Sequence, residues 1–129
     1  MPQHGTQASI VDPLVLLQQQ NPDLPMIPAT NSAYGAWEIW FGEAMRQIAL
    51  ASTRRTREET LKINDQLLHY QLQILTYLKN KRNIREVDEL ADLEFDAKKH
   101  DLLVRIARSK AEIKALNDPN QQQRGYIDV

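Results

Sequence analysis

From Glu43 to Asp118 the chain contains neither glycine nor proline, an interval of 76 residues rich in Leu, Ala, Glu, Lys, Arg and Gln. Good helix formers without a breaker leave the α-helix as the backbone state of least cost. Gly42 bounds the interval on one side and Pro119 on the other. The pattern predicts an all-α fold: a long, coiled-coil-like helical hairpin with an additional N-terminal amphipathic helix. It divides the chain into a flexible, proline-rich extended arm over 1–31, a helical bundle over 32–118 and a flexible tail over 119–129.

Setting arm and tail aside leaves roughly ninety residues, a size at which a single core is thin. Long helices on so little mass predict an elongated shape completed by other chains. Sixteen basic against 17 acidic residues, a net charge of −1, disfavour a whole-molecule polyelectrolyte partner. The chain has no cysteine, so disulfides, thiol nucleophiles and cysteine-based zinc sites are excluded. The N-terminus lacks a cationic segment followed by an apolar one, and no apolar run approaches the ~18 residues of a membrane span. An intracellular, cytoplasmic protein is expected.

Five of the six prolines lie in the first 28 residues. Asp12-Pro13 is a helix-start signal, with Asp12 as N-cap, and predicts a short helix from Leu14 to Gln20, stopped by Asn21-Pro22. Asp23 to Pro28 alternates proline with large apolar residues and should be extended. The arm carries Ile10, Val11, Leu14 to Leu17, Leu24, Met26 and Ile27. It either packs back on its own helices or lies on a neighbouring subunit.

A helix is expected over about 32–52, with Thr30, Asn31 and Ser32 as N-cap candidates. At 100° per residue Trp37, Trp40, Phe41, Ala44, Met45, Ile48 and Ala51 share one face, with Ile39 and Leu50 as exceptions. The aromatic face reads as a packed core cluster or as an inter-subunit anchor. Membrane-surface insertion fits poorly, because the polar face offers Glu38 and Glu43 against Arg46. Gly35 and Gly42 lie one heptad apart on the polar side, where another backbone could approach.

Thr56 and Glu59 stand in capping-box register, which permits a joint near 53–56, although a continuous helix from 32 to 80 is equally consistent. Two apolar seams follow: Ile63, Leu67, Tyr70, Ile74 and Tyr77, and beside them Leu61, Leu68, Leu75 and Leu78. Asn64 and Gln71 interrupt the second. Two seams mean two neighbours, hence a bundle, and a buried polar pair fixes register at a cost in stability.

Asn83 with Glu86 gives a third helix start, and acidic residues up to Asp96 precede basic ones from Lys98, the polarity one helix dipole favours. That predicts a hairpin turning near 81–82. Ile84, Val87, Ala91, Phe95, Leu102, Ile106, Ile113 and Leu116 form a stripe close to an eleven-residue repeat. Leu90, Leu93, Leu103 and Val104 lie off it and leave surface for a further partner.

Phosphate-binding loops and nucleophile elbows are absent. Asp65 with His69 and Asp96 with His100, each at i, i+4, would stand at similar height in such a hairpin and could in principle hold a metal. Both pairs fall on polar faces, so they read as solvated pairs, and no cofactor or small-molecule substrate is expected. The terminal Tyr126-Ile-Asp-Val129 could also serve a carboxylate-binding module.

The expected function is that of a non-enzymatic structural or adaptor subunit with protein partners: copies of itself, a larger assembly, or both. The candidate interface comprises Trp37, Trp40, Phe41, Asn64, Leu68, Gln71 and Leu75, together with the arm. The alternative is a nucleic-acid-associated accessory protein that contacts phosphates through Arg54, Arg55 and Arg57.

Overall fold

The computed structural model describes residues 10–51, 55–81 and 88–118. Those residues are all-α: α1 is Asp12–Gln20, α2 Tyr34–Leu50, α3 Arg57–Lys81 and α4 Glu89–Leu116. No strand occurs among them, and no helix is long and apolar enough to cross a membrane.

Local chemistry accounts for most of the boundaries. At the start of α3 the Thr56 amide donates to Glu59 Oε1 at 2.8 Å, and the Glu59 amide to Thr56 Oγ1 at 3.1 Å. This reciprocal capping box satisfies two amides that the first turn leaves without partners. With α2 ending at Leu50 and α3 beginning at Arg57, residues 32 to 80 are not one helix. Asp88 starts α4 by accepting a hydrogen bond from the Ala91 amide at 3.1 Å. The Asn83 start lies outside the described residues, as do the 82–87 connection and the tail.

Two other starts differ from expectation. Asp12 is the first residue of α1, with Val11 before it, because the turn already closes from Val15 N to Val11 O at 2.9 Å. Before α2, Thr30, Asn31 and Ser32 give way to an extended Ala33 whose side chain has no capping atom. Ser32 N is turned back onto Ala29 O at 3.0 Å, which delays the helix.

The helices run up and down. Asp65 of α3 meets Ser109 of α4, and Lys79 sits 4.3 Å over the Phe95 ring, so α3 and α4 are antiparallel. Glu38 meets Lys98 and Met45 meets Arg105, so α2 and α4 point the same way. Two clusters form the core. The larger unites Leu14, Leu17 and Leu24 of the arm, Trp37, Trp40, Phe41, Ala44 and Ile48 of α2, and Leu67 and Ile74 of α3. The smaller joins Leu68 and Leu75 of α3 to Leu102 of α4.

The two seams of α3 therefore do have two neighbours, both within the same chain. Leu78 changes sides and packs on the larger cluster. The arm also lies on its own helices, and it is not extended throughout, since α1 occupies its middle. No backbone approaches the two glycines of α2: a Cβ at Gly35 or Gly42 would meet nothing within 4 Å.

Candidate functional site

The residues proposed for an interface have mostly been consumed by the fold. Trp37, Trp40, Phe41, Leu68, Gln71 and Leu75 are between 0% and 5% exposed in the single chain. A side chain with so little surface has almost none to offer a second molecule, so these six are core residues. Trp37, Trp40 and Phe41 stack on one another, with the Trp40 and Phe41 centroids 4.9 Å apart and their planes at 85°. Edge-to-face geometry of this kind suits the ring quadrupoles. Trp40 Nε1 donates to Pro25 O at 3.1 Å, which secures the arm on α2.

Asn64 and Gln71 part company. Gln71 is buried and donates through Nε2 to Tyr34 Oη at 3.0 Å, while its Oε1 has no hydrogen-bond partner among the described residues. Asn64 is half-buried at the rim, with Oδ1 likewise enclosed and without a partner. Gln71 thus reaches α2 of the same chain, and Asn64 borders a groove with Met45 of α2 and Arg105, Arg108 and Ser109 of α4.

The basic cluster is divided as well. Arg54 lies outside the described residues. Arg55 Nη2 donates to Asp23 Oδ2 at 2.9 Å and to Asn21 Oδ1 at 3.1 Å, with its side chain only 10% exposed. That guanidinium clamps the arm to the start of α3 and is poorly placed to meet phosphate. Arg57 is exposed and stands 3.8 Å from Glu112 of α4.

The two Asp–His pairs are not brought together. Eight positions separate Lys81 at the end of α3 from Glu89 at the start of α4. Residue 65 consequently faces Ser109, not the neighbourhood of residue 98 that a turn at 81–82 implies. Asp96, next to the Phe95 that faces Lys79, stands about 20 Å further along the bundle than Asp65. Asp65 is engaged by Ser109 Oγ at 3.1 Å, and His69 Nδ1 lies 2.8 Å from the Asp65 carbonyl oxygen. Among the described residues no group of three or more His, Cys, Asp or Glu side chains could hold a metal ion.

A cleft of about 310 Å³ lies between α2 and α4, bordered by Tyr34, Glu38, Gln71, Lys98, Asp101 and Arg105. Lys98 Nζ lies 3.1 Å from Glu38 Oε2 and 5.4 Å from the centre of the Tyr34 ring. Burial pushes the Tyr34 hydroxyl above the usual tyrosine range, against the opposing effect of the Gln71 hydrogen bond. The cleft is lined by contacts that tie α4 to α2.

Apolar surface stays exposed elsewhere on the molecule. Leu90 and Leu93 of α4 are each 66% exposed and Leu103 is 45% exposed; Ile39 and Leu50 of α2 and Leu16 and Met26 of the arm are also exposed. Leu90, Leu93 and Leu103 were legible as residues off the main stripe of α4. The Arg55–Asp23 and Gln71–Tyr34 contacts were not, because they join residues more than thirty positions apart that share no local pattern. Comparison with protein-family models, with curated proteins and with solved structures finds no match to this chain.

Proposed function

We propose that the protein is a non-enzymatic structural or adaptor subunit that self-associates, or docks into a larger assembly, through helical apolar surface. In this reading α3 and α4 act as a coiled-coil-like hairpin joined through residues 82–87, with α2 laid on it and the arm fastening the far side. The observation that carries it is α4: a 28-residue helix with only Leu102 and Ser109 buried, yet with Leu90, Leu93 and Leu103 turned to solvent. Large apolar side chains gathered on one element mark an interaction surface more often than chance exposure does. The arm adds Leu16 and Met26, at 57% and 88% exposure.

The test is the mass of the native particle, measured on the purified chain and in extract of the producing cell. A particle larger than the 14.9 kDa chain in either setting is expected. A monomer in both would overturn the reading. The nucleic-acid alternative loses support with Arg55 held by Asp23 and Asn21.

A further inference from the structure

The sequence of α4 carries two apolar faces, and the fold covers one. The covered face holds Phe95, Leu102 and Ile106 against α3. On the opposite side a heptad pattern places Leu90, Ala97, Val104 and Ala111 in one row and Leu93, His100, Ala107 and Lys114 in the next. All eight are exposed except Val104, which is half-buried. The first row is wholly apolar and the second is interrupted by His100 and Lys114, so the face can pair with another helix, but weakly.

Charge identifies the occupant. From Glu89 to Ala97, α4 carries Glu89, Asp92, Glu94 and Asp96 and no base, a net charge of −4. From Lys98 to Leu116 six bases stand against Asp101 and Glu112, a net charge of +4. A helix with equal and opposite halves is complementary to itself when reversed, and self-repelling when parallel.

We propose that the outer face of α4 pairs with the same face of a second copy, antiparallel, about a two-fold axis passing near residue 102. This rests on the self-association reading and gives it a surface, a direction and a register. With that axis Leu93 opposes Ala111 of the second copy, Ala97 opposes Ala107, and His100 opposes Val104. On the flanks Glu94 meets Arg108, Asp96 meets Lys110, and Leu103 meets its own equivalent. Asp101 also meets its equivalent, the one like-charge contact. The alanines let the two backbones approach closely.

The size of the seam sets the strength. A helix of 28 residues is ~42 Å long. At ~10 Å width it covers on the order of 400 Å² per copy, about half the area of a standard specific interface and in the range of weak, transient contacts. The dimer is therefore a micromolar, salt-sensitive one.

Sedimentation of the full-length chain tests this, with charge reversal and directed cross-linking. Glu94→Arg with Asp96→Lys should raise the dissociation constant by on the order of ten- to a hundredfold. Adding Arg108→Glu and Lys110→Asp to the same chain should restore it. These positions are exposed, so helix content by circular dichroism should stay unchanged. Copies carrying Leu93→Cys, mixed with copies carrying Ala111→Cys, should form mixed disulfides readily. Leu93→Cys alone should not, since an antiparallel pair sets those two sites about 27 Å apart.

A dimer that keeps its affinity after the two-site reversal, or that cross-links through Leu93→Cys alone, overturns the antiparallel pairing while leaving self-association intact. A purified chain that is monomeric at every concentration also overturns it. Only a monomer in cell extract as well would remove the reading on which it rests.

Discussion

The two sides of α3 are packed very differently. Toward α2 and the arm, Leu67 and Ile74 of α3 join eight buried apolar side chains, both tryptophans among them; toward α4, Leu68 and Leu75 of α3 join one buried side chain, Leu102, among the described residues. Polar contacts add to the hold on α4: Ser109 with Asp65 of α3, and, toward α2, Lys98 with Glu38 and Arg105 Nη2 with Met45 Sδ at 3.4 Å. Apolar burial contributes about 25 cal/mol per Å², whereas an exposed ion pair contributes well under 1 kcal/mol. The arm–α2–α3 unit should therefore be the stable body, and α4 the element that opens first. A weakly held helix with a second apolar face is a suitable element to be stabilised by a partner.

The largest expected effect breaks the stable body itself. Phe41, 0% exposed, touches both tryptophans. Phe41→Ala should cost about 3–5 kcal/mol and lower the melting temperature of the whole chain. Leu102→Ala should cost less, about 2–3 kcal/mol, and the loss should be local. Hydrogen exchange should show α4 amides released while α2 stays protected. Uniform loss across both helices would mean that the two clusters act as one.

Next comes the clamp between arm and joint. Arg55→Met should cost about 1–3 kcal/mol by leaving Asp23 and Asn21 without their shared donor. Limited proteolysis should then cut first in the arm, and cleavage elsewhere would argue against a clamp. A smaller effect separates the members of the buried polar pair. Tyr34→Phe leaves Gln71 with neither amide atom bonded and should cost about 1–2 kcal/mol, whereas Gln71→Leu removes an unpaired carbonyl and should be near neutral. If Gln71→Leu proves the more damaging of the two by thermal melt, the hydrogen bond is not what holds this site. Because burial raises the Tyr34 pKa, its contribution is complete below the ordinary tyrosine range and is lost as pH rises through the folded-state value.

The smallest expected effect lies at the start of α3. The Thr56 amide and hydroxyl hold the Glu59 carboxyl below its usual range. A depressed folded-state pKa stabilises above the ordinary glutamate range, and that stabilisation is lost as pH falls through the folded-state value. The protection factors of the first amides of α3, exchange rates taken relative to the intrinsic rate at each pH, should thus fall on acidification in the native chain and change less in Glu59→Gln. Equal pH dependence in both would show that the capping box does not control fraying there.

The amino-acid sequence by itself determined what is local. Helix formers without breakers made the chain all-α, Thr56 and Glu59 marked the start of α3, and the paired rows on α3 required two neighbours. Each of these follows from residues a few positions apart, whose energies add along one helix. Tertiary structure decided who the neighbours are. The two rows of α3 do not distinguish a helix of the same chain from one of another, since a leucine seam is filled equally well by either. The fold filled them from within, with α2 and the arm against one row and α4 against the other. It also set Asp65 beside Ser109, a register decided by the packing of α4 on α3 and not written in either helix alone. Trp37, Trp40 and Phe41 thereby became core, while Leu90, Leu93 and Leu103 of α4 stayed exposed.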